Sequence, residues 1–279
     1  MFDSLLILFL PFLLSFVTSF LLSNVFINSA NNLKLEGTFS SRMKRKRISQ
    51  GAGSIILFCG GSLSLCFIVA LGFVPHPIFV KILLLGVVLL AVGYRANISN
   101  LNNNKFFVLT LSFAILLVGL LLPHFLKIIG ITGFTLGLIF TLGCVYLVRA
   151  LNLLERTAIM FTISVCLFGS ILGVYTEDVV LSAGNFSVLG SLLAFAYFNF
   201  SESRNIKLGV AGELLIGLSI ASQGLYLFGK QTIDYSSYLP FAFLIFLYPV
   251  SDALQYFGSI AINKIFGKNI KVCQIHEHF

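Results

Sequence analysis

Residues 192–217 read LLAFAYFNFSESRNIKLGVAGELLIG, and this stretch sets the architecture. An aromatic-rich apolar run gives way to a short polar turn holding Arg204 and Lys207. The chain then passes two closely spaced glycines and returns to apolar sequence, with Glu213 the only acid between residues 206 and 218. Two apolar segments joined by a short, positively charged turn are the pattern of two membrane helices connected on one side of a bilayer. The turn itself raises a chemical question, because glycines at the entry of a helix present backbone N–H groups that suit a phosphate.

The rest of the chain repeats the pattern. Its 279 residues are 58% hydrophobic and only 10% charged, with a mean hydropathy of +1.00, whereas roughly a quarter of the residues in a soluble domain are charged. Apolar runs of about 20 residues, the length that crosses the hydrocarbon core, recur from end to end. The composition therefore predicts an all-α, polytopic transmembrane helical bundle forming one integral-membrane domain over 1–279. Hydropathy places nine spans, near 2–27, 53–73, 79–93, 106–123, 129–148, 157–175, 182–198, 210–228 and 238–257. The first run follows Asp3 instead of a basic cluster and leads to no small-residue cleavage site, so it is expected to be a retained helix. Cys59, Cys66, Cys144 and Cys166 fall inside apolar runs and Cys273 in the tail, a distribution of packing residues with no metal-ligand spacing.

Nine spans put the connecting loops alternately on two sides. Of the 18 basic residues, all but Lys81, Lys127 and Lys230 fall on one side, which the positive-inside bias assigns to the cytoplasm. The N-terminus is then outside and the tail inside. Most of the net charge of +8 follows from this topology. The densest cluster, RMKRKR at 42–47, is expected in a cytoplasmic loop; it sets orientation, and Arg45 within it is a candidate contact for an anionic headgroup or nucleotide. No aromatic-bearing soluble module accompanies the patch, so nucleic acid is not expected as a partner.

The connections assigned to the outside are short and plain, TEDVVLSAGN among them. Polar side chains and glycines gather on the cytoplasmic side, in five segments: RISQGAG at 47–53, GYRAN at 93–97, RALNLLERTAI at 149–159, the opening stretch, and the tail ending in HEH at 276–278. The ninth span adds YPVSDAL at 248–254. In this order and on this common side, the segments resemble the polyprenyl-phosphate N-acetylaminosugar-1-phosphate transferases, integral-membrane enzymes that join a sugar phosphate from a UDP-sugar to a lipid phosphate. The likeness covers nearly the whole chain. Where that family has Pro-x-Pro-Arg-Gly-Gly-Gly, Gly-x-x-Asp-Asp and Asn-Ala-x-Asn-x-x-Asp-Gly, this chain has RISQGAG, GYRAN and RALNLLER. Its Gly-Asp-x-Gly-Ser is matched by Gly209, Val210 and Gly212, its Pro-x-x-Asp-Thr by YPVSDAL, and its His-x-His-His by HEH.

The resemblance implies a reaction in which a lipid phosphate attacks the β-phosphorus of a UDP-sugar and UMP leaves. Mg²⁺, a hard cation, is implied as the cofactor that neutralises and orients the phosphates through carboxylate oxygens. Carboxylates are what the matched positions lack. Ala96 and Asn97 replace the paired aspartates, and an asparagine offers a carbonyl oxygen without charge. Glu155 keeps a carboxylate and is the candidate metal ligand, but Arg149 and Arg156 flank it and favour a salt bridge over an open metal site. Val210 stands at the acid of the glycine turn, and Glu213 lies about one helical turn further on, too far to replace it. Asp252 matches, and Asn97, Glu155 and Asp252 are the candidate catalytic residues. Asn152, Gly209, Gly212, His276, His278 and Arg45 are the candidate substrate-binding residues, the histidines falling into place with a one-residue shift. The family also continues through at least one further helix beyond the tail.

The sequence thus predicts a divergent member of that family, with UDP-sugar and polyprenyl phosphate as the implied partners and with lost or impaired catalysis. The alternatives are an active transferase using Glu155 and Asp252, and a membrane transporter or scaffold. A homodimer or another membrane subunit is left open as partner.

Overall fold

The computed structural model describes residues 2–32, 39–70, 72, 77–98, 103–125, 130–152, 157–200 and 206–229. Among these residues every regular element is a helix: α1 (Phe2–Asn32), α2 (Phe39–Ala70), α3 (Pro77–Ile98), α4 (Asn103–Phe125), α5 (Gly130–Asn152), α6 (Thr157–Tyr175), α7 (Val179–Asn199) and α8 (Gly209–Gly229). They follow the first eight apolar runs, and the run at 238–257 lies outside the described residues. Within hydrocarbon a backbone must satisfy its own N–H and C=O groups, which is why continuous apolar sequence here becomes helix. Among the described residues, four helical segments, Phe9–Ser29, Thr157–Tyr175, Val179–Asn199 and Gly209–Leu227, are long and apolar enough to cross a membrane.

One element departs from the hydropathy reading. The basic cluster 42–47, expected in a loop, lies in the first turns of α2, which begins at Phe39. Lysine and arginine are good helix formers, and a loop inferred from charge alone has no residue here that forces the backbone out of helix before Gly51.

The bundle is organised around two buried helices. α8 packs against α2, α3, α4, α5 and α6, while α7 packs against α1, α2 and α6. Small residues bring the backbones together, as helix association in lipid requires. Ser15, Ser19 and Ser23 form a fully buried row along α1. Ser19 donates to the Ile56 carbonyl at 3.3 Å, and Ser64 donates back to the Pro11 carbonyl at 2.7 Å. On α7, Ser187 donates to the Gly61 carbonyl at 2.8 Å. The FAYF segment of the opening stretch extends this seam, with the Phe198 ring 5.0 Å from that of Phe20 on α1.

Around α8 the spacer is glycine. A Cβ at Gly217 would stand 2.7 Å from the Val145 Cα of α5, and one at Gly93 would stand 2.7 Å from the Ala211 Cβ. Both helices therefore cross α8 at nearly the closest distance two backbones allow. Outward faces carry the large apolar side chains, with Leu21, Leu84, Val108, Ile139 and Ile171 all more than half exposed.

Candidate functional site

Four contacts fix which helix ends meet. A Cβ at Gly53, near the first apolar turn of α2, would lie 2.6 Å from the Lys207 carbonyl and 2.7 Å from the Phe195 ring of α7. The end of α7 is tied to the same place, because the Asn199 amide donates to the Ile206 carbonyl at 2.6 Å. Gly93, in the last turns of α3, rests on Ala211. At the start of α4, Phe106 lies beneath the Arg149 guanidinium at the end of α5, 3.6 Å from the ring centroid. One end of the bundle therefore collects the start of α2, the end of α3, the start of α4, the end of α5, and the α7–α8 turn.

The turn that opens α8 has a defined shape. Ile206 and Leu208 are buried, Lys207 is exposed between them, and Gly209 takes φ of 67°, a left-handed conformation that glycine adopts without penalty. The Leu208 side chain then folds against Gly212, where a Cβ would come within 2.6 Å of it. Val210 is half-buried and packs against the main apolar core. At the position where the resembling pattern has an acid, the structure has an apolar side chain in an apolar contact.

Glu213, set aside by the sequence reading, is buried to 8% exposure on α8. Its register carries information. Gly217 touches Val145, and one turn from each toward this end of the bundle bring α8 to Glu213 and α5 to Arg149. The acid and the guanidinium thus stand at the same level on two adjacent helices. Arg149 is half-buried, and the Phe106 ring it covers is itself buried and meets Tyr146 edge-on at 5.8 Å. A stacked guanidinium of this kind keeps its charge and its donors in a fixed plane. The signal for Glu213 was available in the sequence: it is the sole acid in an otherwise apolar helical run, and such residues face the bundle interior.

The predicted site residues divide into two groups. Backbone positions of Arg45, Asn97, Asn152, Gly209 and Gly212 fall at this one end: Asn97 in the last turn of α3, Asn152 as the last residue of α5, and Arg45 about two turns before Gly53 on α2. Glu155, Asp252, His276 and His278 lie outside the described residues. Among the described side chains at this end, Arg95, Lys105 and Lys207 are exposed and Arg149 is half-buried, against the single carboxylate of Glu213. The end is cationic and suits an anionic ligand. The described residues do not by themselves fit Mg²⁺, which needs several oxygen ligands; among them no three of His, Cys, Asp and Glu gather in one place.

The opposite end holds a feature that sequence reasoning passed over. Asp178 caps α7, its Oδ1 accepting the amide protons of Val180 and Leu181 at 3.1 and 3.2 Å. Preceding it, Glu177 adopts φ of 53°, a conformation uncommon outside glycine. The TEDVVLSAGN connection is therefore a built turn, with an acid placed where helix N-termini favour one.

Compared with known proteins, the chain matches no family model and no curated protein.

Proposed function

We propose that this chain is a divergent member of the membrane sugar-1-phosphate transferases that keeps the helical scaffold and an anion-binding face but has lost or impaired catalysis. On this reading the cationic end faces the cytoplasm, the chain sits in the cell's cytoplasmic membrane, and its ligands are a polyprenyl phosphate and a UDP-N-acetylaminosugar used in lipid-linked glycan or envelope assembly. The observation that carries the reading is Val210. It stands between two glycines in a turn of defined shape, at the end where the start of α2 and the ends of α3 and α5 also lie, and its isopropyl group packs on the core.

A phosphate at this end would meet Arg149, Lys207 and the first N–H groups of α8, and these groups supply binding. Transfer needs more. Two anionic reactants repel, and a fixed set of carboxylates holding a divalent cation is the arrangement that overcomes it. Ala96, Asn97 and Val210 contribute no carboxylate to it.

The buried Glu213, together with Glu155 and Asp252, favours a second reading, an active transferase in which guanidinium groups take over part of the metal's charge. One experiment separates the two. Purified protein is incubated with UDP-N-acetylglucosamine, undecaprenyl phosphate and Mg²⁺, and UMP release and lipid-phosphate binding are measured on the same sample. Binding without UMP release supports the first reading; turnover that disappears in Glu155→Gln supports the second. Neither binding nor release, with solute uptake in reconstituted vesicles, would overturn both in favour of a transporter.

A further inference from the structure

A cavity of about 140 Å³ lies between α2, α3 and α8, floored by α7 and reached by Leu117 of α4. Its walls are almost wholly aliphatic or aromatic, with Leu57, Phe58, Leu85, Leu89, Ile216 and Leu218 among them. The lining also contains four serines, and three of them have hydroxyl protons already used. Ser62 donates to the Cys59 carbonyl at 3.3 Å, Ser191 to the Val188 carbonyl at 2.9 Å, and Ser222 to the Ser219 carbonyl at 2.8 Å. Every one of these bonds returns to the serine's own helix. An apolar cavity of this size, most of whose few hydroxyls are bonded to their own helices, offers water too few partners to stay and takes a nonpolar occupant instead.

The position of the mouth identifies that occupant. Phe58, Ser62 and Leu65 on α2 and Ile82 and Leu83 on α3 line the cavity and are half-buried. Beside them on the same two helices, Leu63, Phe67, Leu84, Val87 and Val88 are exposed as part of the apolar outer face. The cavity is thus continuous with the surface that meets lipid. At the seam a Cβ on Gly86 would come within 2.5 Å of the Phe58 ring, so glycine leaves the ring room between the helices.

We infer that this cavity is a lateral binding site for one acyl chain of a bilayer phospholipid, entering between α2 and α3. The lining residues on α2, α3 and α8 begin about one turn inside Gly53, Gly93 and Gly212 and run along the middle of these helices, and the mouth opens sideways between α2 and α3 onto the lipid-facing surface, where phospholipid acyl chains are the surrounding medium. The site rests on the membrane-protein reading alone. Its failure would leave the proposed transferase ancestry untouched.

The test uses full-length protein in phosphatidylethanolamine and phosphatidylglycerol vesicles carrying a phospholipid with a photoactivatable diazirine on one acyl chain. After irradiation, adducts are mapped by mass spectrometry. The expected result is labelling of Ser191 and Leu218, which are buried yet line the cavity, with none on the equally buried Leu214 and Val148, which do not. Ser219→Phe fills the cavity and should abolish the inner adducts while leaving those on exposed Leu84. Ser62→Leu narrows the mouth and gives an independent check should the larger substitution fail to fold. Adducts confined to Leu84, Val87 and similar outward positions would overturn the proposal. So would inner adducts that persist in both folded variants, or that disappear when undecaprenyl phosphate is added.

Discussion

Tyr226 donates its hydroxyl proton to Asp178, lying 2.9 Å from Oδ2 and 3.1 Å from Oδ1, and so ties the last turns of α8 to the first turn of α7. The carboxylate is buried and serves two purposes, since Oδ1 also caps α7. A buried acid with this many donors loses more when it is removed than when one donor is. Tyr226→Phe is expected to lower stability by about 1.5–3 kcal/mol, the range for a hydrogen bond to a charged group. Asp178→Ala should cost more than Tyr226→Phe because it removes the cap as well, a further loss of about 1 kcal/mol. Thermal unfolding in mild detergent, with the double variant included, checks both the order and the coupling; equal losses for the two single variants would refute the shared role.

Close glycine crossings make a second prediction. The α5–α8 crossing has no room for a methyl group at Gly217, whose added Cβ would meet the Val145 backbone at 2.7 Å. Gly217→Ala normally favours a helix by about 1 kcal/mol. Here overpacking should reverse the sign, for a net loss of roughly 1–3 kcal/mol. Gly143 of α5, with open space around it, supplies the control: Gly143→Ala should be neutral or stabilising in the same unfolding assay.

Helical class and the order of the first eight runs were legible because hydropathy and helix length measure the same physical quantity, the thickness of hydrocarbon to be crossed. The same signal is blind to the start of α2, where polar residues continue a helix whose apolar part begins later. It is blind also to packing: that Gly93 faces Ala211, or that Ser64 reaches the Pro11 carbonyl, depends on helix rotation, which an all-round apolar segment does not reveal. The motif-bearing segments on α2, α3, α5 and α8 could be placed at one end by counting spans. Val210's contact with the core was not legible, because it follows from which face of α8 turns inward; the burial of Glu213 was legible in principle, as the sole acid of an apolar helical run.

On the proposed function, Val210 is where ancestry and activity would part. Val210→Asp would put a carboxylate between Gly209 and Gly212, where the resembling pattern has one, but against the apolar core, where an unpartnered ionised group is costly. The expected outcome is a drop in stability with no gain in UMP release, because Ala96 and Asn97 still provide no acidic pair for a metal. Conservative Val210→Thr, with nearly the same volume, should be tolerated with a smaller loss. Measuring unfolding temperature and UMP release side by side tests the argument, and turnover appearing in Val210→Asp alone would show that the remainder of the site is intact.

The level shared by Arg149 and Glu213 gives the last prediction. A guanidinium stacked on Phe106 at 3.6 Å contributes about 0.5–2 kcal/mol through the ring alone. Arg149→Lys retains the charge but not the planar stack, so it should lose much of that contribution and no more. Arg149→Ala also removes a positive charge from the level of a buried carboxylate, and a buried acid whose compensating charge is deleted is destabilising by more than the lost contact. If the two helices place these groups in mutual reach, Glu213→Gln should reduce the cost of Arg149→Ala, with a coupling of about 0.5–3 kcal/mol in a double-mutant cycle. The comparison is informative for binding too. Arg149→Lys and Arg149→Ala should weaken lipid-phosphate binding to different extents if the guanidinium plane grips the anion, and equally if it only orders the end of α5. Strict additivity of Arg149→Ala and Glu213→Gln in stability would mean that Glu213 draws its compensation from another helix.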